Sequence, residues 1–333
     1  MRAVVIAKYN EPWELRQLPD PHPQPGQVLI RIRASGMCGT DLHVHHGLFP
    51  LPTPLVAGHE PVGEVVEVGA GAGAIRVGDR VGVHWNQMGC GRCASCLSGR
   101  QDACPSAQSW MQLGGGNSEL MLAWASGCTL IPDGVEDAVA APIFCAGYTV
   151  MSGLRNAGPK PGERVAVLGL GGLGHLALQF AHALGLSTIA LTGQASKKEE
   201  LRRMGADEVL VAGDDPGKAL ADAGGADVIL STTNSSKQVG SAFRALRPEG
   251  RLVNMGVTDA PIAVDPMILM MGQRQLRGSS QDERSDLYEA LQLVASGKVK
   301  PVLETYPLEQ ANAVRDRLAA GKVRYRAVLL HAR

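Results

Sequence analysis

The chain has 333 residues, 45% of them hydrophobic, and its 32 Lys/Arg balance its 32 Asp/Glu. That length suggests two domains, and the apolar content supports buried cores. No basic block marks a nucleic-acid partner, and no charge-free apolar run reaches the roughly 18 residues of a membrane span.

The N-terminal MRAVVIAKYNEPWEL has no apolar run followed by a small-residue cleavage site, and it alternates like a first strand. The expected location is the cytoplasm, where thiols stay reduced and free to hold metal. Through residue 80 the chain reads as β-rich: RAVVIAKY, QVLIRIRASG and PVGEVVEVG are Val/Ile runs separated by Pro/Gly clusters such as PDPHPQPGQ.

Next comes GCGRCASCLSGRQDAC, which sets Cys90, Cys93, Cys96 and Cys104 in a C-x2-C-x2-C-x7-C pattern. Four thiolates can close a tetrahedron around zinc, with Zn–S bonds of about 2.3 Å, and such a shell leaves no open position for chemistry. This lobe, about residues 88–106, is read as a structural zinc site. Disulfides and an iron–sulfur cluster are the competing readings. The compartment disfavours the first and the spacing the second.

Around residue 145 the texture changes to strands alternating with helices, the pattern of a doubly wound parallel sheet. VAVLGLGGLGHLALQFAHALG carries G-x-G-x-x-G at Gly169, Gly171 and Gly174, after a strand and at the opening of a helix. Those glycines would serve the tight turn, the approach of a pyrophosphate and helix–strand packing. A Gly-rich loop in an unrelated α/β domain is the plain alternative. An acid at the end of the second strand would hold the ribose 2′-hydroxyl of NAD. Twenty-four residues beyond Gly169 stands Gly193, followed by Gln194, Ser196, Lys197 and Lys198. This set suits a 2′-phosphate, so NADP is favoured over NAD, although lysines could simply solvate a helix start. A last helix is expected from Glu283 to Ala295, then a strand, a helix and a strand that return to the first domain.

MCGTDLHVHHG, GHEPVGEVVEVG, the four-cysteine lobe, CAGYTVM, GLGGLG and GKVRYRAVL occur in this order. Together they resemble the zinc-dependent medium-chain alcohol dehydrogenases nearly end to end. The resemblance implies an α/β fold: a GroES-like, β-rich catalytic domain (1–146 and 281–333) and a Rossmann cofactor-binding domain (147–280) with a doubly wound parallel sheet. It also implies two Zn²⁺ per chain. Cys38, His59 and Cys145 would hold a catalytic zinc that polarises an alcohol oxygen while hydride passes to the nicotinamide. Thr40 and His43 match the relay that carries the proton to solvent. Asp41 matches a carboxylate that orients His59, and Glu60 one that approaches the metal. Thr149 matches a residue packing on the nicotinamide, and Arg324 one reaching the pyrophosphate. Gly172, Leu173, Gly256, Val257 and Ser279 complete the cofactor set.

Phe49, Trp85 and Trp110 fall where family members line the substrate cleft, though each could be plain core. His45 and His46 are expected exposed or at the pocket rim, and Cys128 as a free thiol. Asp282 departs from the family, which often has glycine there. The expected reaction is reversible oxidation of small primary, secondary or benzylic alcohols to aldehydes or ketones. The alternatives are a polyol or formaldehyde dehydrogenase, or a non-catalytic zinc- and dinucleotide-binding regulatory protein. A homotetramer is expected, with a dimer the alternative.

Overall fold

The computed structural model describes residues 1–49 and 51–331. The chain divides into two compact units, Met1–Cys145 with Pro301–Arg333, and Ala146–Lys300.

The first unit is built on a seven-stranded sheet. Its centre is the long strand Gln27–Met37, where Val28, Ile30 and Ile32 are buried and Arg31 and Arg33 exposed. This alternation is what a pleated strand with one wet face requires. Glu60–Val68 and Arg326–Leu330 pair antiparallel with it on either side, and Leu303–Pro307 lies parallel beyond the latter. The register sets Gly36 opposite Glu60 and Met37 opposite Ala327. A side chain on Gly36 would strike the Glu60 carboxylate, so close packing here requires glycine.

The second unit carries a six-stranded parallel sheet. Its spatial order is Glu208–Val211, Ser187–Thr192, Arg164–Leu168, Ala226–Ser231, Leu246–Asn254, Gln275–Gly278. Numbered along this unit the order is 3-2-1-4-5-6, the Rossmann arrangement, and its topological switch point lies between Arg164–Leu168 and Ala226–Ser231. Strand residues such as Val167, Ile229 and Leu252 are fully buried, as expected for a sheet covered by helices on both faces.

Residues 281–300, expected with the first unit, belong to the second. The helix Arg284–Ala295 packs on the helix Ala146–Ala157, and its buried Leu287, Ala290, Leu291 and Val294 form the inward stripe. Ser152 Oγ donates to Asp286 at 2.8 Å, and the Tyr148 hydroxyl donates to the Asp282 carbonyl at 2.9 Å. Among the described residues no single helix is long and apolar enough to cross a membrane.

His331, just past the last strand, is buried, and neither ring nitrogen has a hydrogen-bond partner among the described residues. Burial pushes its pKa down to about 4, against the pull of Glu119 and Glu309. In the unfolded chain it titrates near its ordinary value of about 6.5, so between these two pH values the unfolded state binds more protons. The prediction is that this contribution to stability is complete above about pH 6.5 and is lost as pH falls toward 4. His331→Leu should flatten that slope in urea unfolding at a series of pH values. An unchanged slope would assign the acid sensitivity elsewhere.

Candidate metal and dinucleotide site

The short helix Gly39–His45 begins at Cys38, whose sulfur accepts the Thr40 N–H at 3.3 Å. Asp41 closes the cap by accepting the Cys38 N–H at 2.8 Å, so the first turn fixes Cys38, Thr40 and Asp41 together. His59 directly precedes the strand Glu60–Val68, and its Nδ1 donates to Asp41 at 3.2 Å. That bond aims Nε2 at the Cys38 sulfur, 3.3 Å away. Cys145 follows the 3-10 turn Ala141–Phe144 and brings its sulfur to 3.9 Å from that of Cys38. Donor atoms of Cys38, His59, Glu60 and Cys145 all lie within 4.8 Å of one another.

The electrostatics of this cluster are those of a cation site. The Cys145 thiol bonds the Cys38 sulfur and, against the cost of burial, holds the Cys38 thiol well below its ordinary pKa. The same contact pushes Cys145 well above its own. Burial would depress His59, but Asp41 and Cys38 overcome it and raise its pKa. Burial lifts the Glu60 carboxyl to about 7, against the pull of Arg326. Two soft sulfurs, one imidazole and a nearby carboxylate, concentrated in a dry pocket, are the donor set of a zinc site with room for a further ligand. The residues present therefore fit the metal.

One member of this cluster was missed in the sequence. Arg326 is 2% exposed and hydrogen-bonds Glu60, which is itself fully buried. Arg324, singled out for a pyrophosphate, is exposed, and its N–H donates to Glu304 at 2.8 Å. Two arginines stood two positions apart in GKVRYRAVL. The pairing of Arg326–Leu330 with Gln27–Met37 carries Arg326 to Glu60.

The aromatic residues also separate. Phe49 and Trp85 are half-buried and touch at 5.9 Å between ring centroids, and Trp85 sits edge-on to His59 at 5.3 Å. Trp110, 1% exposed, lies in the core, 5.7 Å from Trp85 and 6.2 Å from His59. Thr40 and His43 are half-buried on the helix Gly39–His45. His46 is exposed, whereas His45, expected exposed or at the pocket rim, is buried against Trp13.

Cys90, Cys93, Cys96 and Cys104 also converge, with their sulfurs within 4.8 Å of one another. Backbone N–H groups donate into them, from Cys90 to Cys104 and from Cys96 to Cys93, each at 3.4 Å. Such donors favour thiolate, and those of Arg92 and Cys93 bring the Cys90 thiol down to about 6. Four sulfurs and no other donor fit a closed structural zinc.

In the second unit the turn after Arg164–Leu168 has Gly169 at φ +89°, a conformation that glycine adopts without strain. A side chain on Gly174 would strike the Gly169 carbonyl, whereas Gly171 faces open space. Gly172 and Leu173 complete the turn into the helix Gly174–Ala183. A cavity of about 200 Å³ is lined by Gly169, Thr192, Gly193, Gln194, Lys197 and Gln238, among others, and none of its lining residues is a carboxylate. Ser196 and Lys198 are exposed and do not line it. Gly256 packs against the Thr233 carbonyl, Ser279 N–H donates to Asn254 at 3.1 Å, Val257 is exposed, and Thr149 is half-buried on the helix Ala146–Ala157.

Comparison with known proteins agrees with this geometry. Residues 24–133 match the alcohol dehydrogenase GroES-like domain, and residues 172–296 match the zinc-binding dehydrogenase domain. An alcohol dehydrogenase of Geobacillus stearothermophilus is 38% identical over 99% of this chain and 98% of its own length. One from Moraxella sp. is 36% identical over 99% of both. The crystal structure of the alcohol dehydrogenase from Aeropyrum pernix superposes with a TM-score of 0.91 at 28% identity, covering 99% of this chain and 100% of that one. The chain belongs to the zinc-dependent medium-chain alcohol dehydrogenase family.

Because the lobe is a separate donor set, Cys93→Ser should lower zinc from two atoms per chain to one and lower Tm by several degrees. Metal analysis with a thermal melt checks this. Retention of two zinc atoms would show that the lobe does not need Cys93 to hold metal.

Proposed function

We propose that the chain is a zinc-dependent dehydrogenase that reversibly oxidises small primary, secondary or benzylic alcohols, preferring NADP to NAD. The convergence of Cys38, His59 and Cys145 in one buried cluster carries this reading. Zinc held there would act as a Lewis acid on the alcohol oxygen, and the nicotinamide would accept the hydride.

This chain's own residues would do the rest. Asp41 holds the His59 ring, which keeps Nε2 turned toward the donor cluster. Thr40, two residues after Cys38, would take the proton from the substrate hydroxyl, and His43, on the same helix, would pass it outward. Phe49 and Trp85, both beside the His59 region, would leave a narrow apolar slot suited to slim or flat alcohols. Arg326 would balance the negative charge of Glu60 and the sulfurs.

For the cofactor, Gly169 and Gly171 would let the backbone approach a pyrophosphate at the N-terminus of the helix Gly174–Ala183. The preference for NADP is supported by a cavity that has Lys197 and no carboxylate on its lining, with Lys198 next to it in sequence. A homotetramer, or a dimer, is supported by Met267, Met270 and Met271. All three are exposed on the helix Pro266–Met271, beside the edge strand Gln275–Gly278.

Benzyl alcohol oxidation followed by absorbance of the reduced nicotinamide tests the reading. NADP⁺ should support faster turnover than NAD⁺ at equal concentration. Replacing both Lys197 and Lys198 by Ala should lower kcat/KM for NADP⁺ about tenfold and leave NAD⁺ nearly unchanged. Faster turnover with NAD⁺ would overturn the cofactor preference. Cys38→Ser should abolish turnover and keep dinucleotide binding. Full activity in that variant would overturn the role of the buried cluster.

A further inference from the structure

The helix Gly39–His45 has seven residues, far too few to hold its own conformation in water. Its start is fixed by the Cys38–Asp41 cap, and its end is held differently. His45 is 8% exposed, and its Nδ1 accepts the indole N–H of Trp13 at 3.2 Å, with the rings edge to face at 6.0 Å. To accept that bond Nδ1 must be unprotonated. Burial, with Arg315 and His46, lowers the pKa of this ring, and Asp316 pulls the other way.

Trp13 is in turn anchored. The Asn312 side chain accepts its N–H at 2.8 Å and donates to its carbonyl at 2.7 Å, and the Arg315 guanidinium lies 5.4 Å from its ring centroid. Both residues belong to the helix Ala311–Ala319. Asn10 adds a second tie: its N–H donates to the His45 carbonyl at 2.9 Å, and its side chain meets His46 Nδ1 at 2.7 Å.

We propose that His45 is a positioning residue. Through Trp13 it fixes the far end of the helix that carries Thr40 and His43, and so sets the alignment of the proton relay. The inference rests on the relay role proposed above for those two residues. A buried hydrogen bond that merely stabilised the fold would leave proton transfer untouched. One that aligns the relay makes proton transfer slower when it is lost.

The test uses His45→Leu, Trp13→Phe, the double variant, and His45→Asn, which returns an acceptor near the place of Nδ1. His45→Leu and Trp13→Phe should each lower kcat by about tenfold, with KM for the alcohol within about twofold. Each should raise the solvent deuterium isotope effect on kcat and keep two zinc atoms per chain. The double variant should be no worse than His45→Leu, and His45→Asn should recover most of the loss. An unchanged isotope effect, losses that multiply in the double variant, or normal turnover in His45→Leu would each overturn the proposal. Amide hydrogen exchange across residues 39–46 needs no turnover and so separates this inference from the dehydrogenase reading. Exchange should quicken in His45→Leu and Trp13→Phe alike, and unchanged exchange overturns the proposal even if the unaltered chain proves inactive with every alcohol.

Discussion

The first unit is organised around ionisable groups held away from water. Cys38, Asp41, His59 and Glu60 are all buried, and two of the four are carboxylates. Charges in such a place need partners, because desolvation costs several kcal/mol per ion. Arg326 supplies one partner from inside the fold, and a bound cation would supply the other. Removing one member of a buried pair typically costs about 3–5 kcal/mol, so Glu60 and Arg326 constrain one another.

That constraint explains why the sheet has its particular register. Three neighbouring strands meet at the cluster. Gln27–Met37 offers Gly36 as open space, Glu60–Val68 begins with the carboxylate that fills it, and Arg326–Leu330 begins with the guanidinium that balances it. A slip by one residue would turn every side chain of a strand to the other face. The packing of Gly36 on Glu60 and the ion pair therefore specify the same alignment.

Much of this was legible in the sequence. The four-cysteine spacing is local, so chemistry alone pointed to a closed metal site. The glycine turn was legible because it followed a strand and opened a helix. Cys38, His59 and Cys145 are far apart in the chain, and only resemblance could gather them. What stayed hidden depends on contacts across long separations. The meeting of Arg326 with Glu60 joins residues 266 positions apart, and no local pattern in GKVRYRAVL announces it. The burial of His45 is not legible because its partner Trp13 comes from another part of the chain, with nothing in the helix pattern to announce it. Trp110 could be cleft wall or core until its neighbours were known, and it is core. The helix Arg284–Ala295 was placed with the wrong unit because its stripe says that it packs, but not on what.

The return of the chain's end into the first unit sets an order of events during synthesis. Cys38, His59 and Glu60 leave the ribosome early, and the whole second unit is made before Arg326 follows. Until then Glu60 has no guanidinium to meet, and the strand Gln27–Met37 lacks one of its neighbours. The Rossmann sheet, continuous in sequence, can fold as soon as it emerges, whereas the sheet of the first unit gains Arg326–Leu330 last. A nascent chain thus holds all four donors of the cluster, Cys38, His59, Glu60 and Cys145, before the second unit is made, while the guanidinium that meets Glu60 arrives only afterwards.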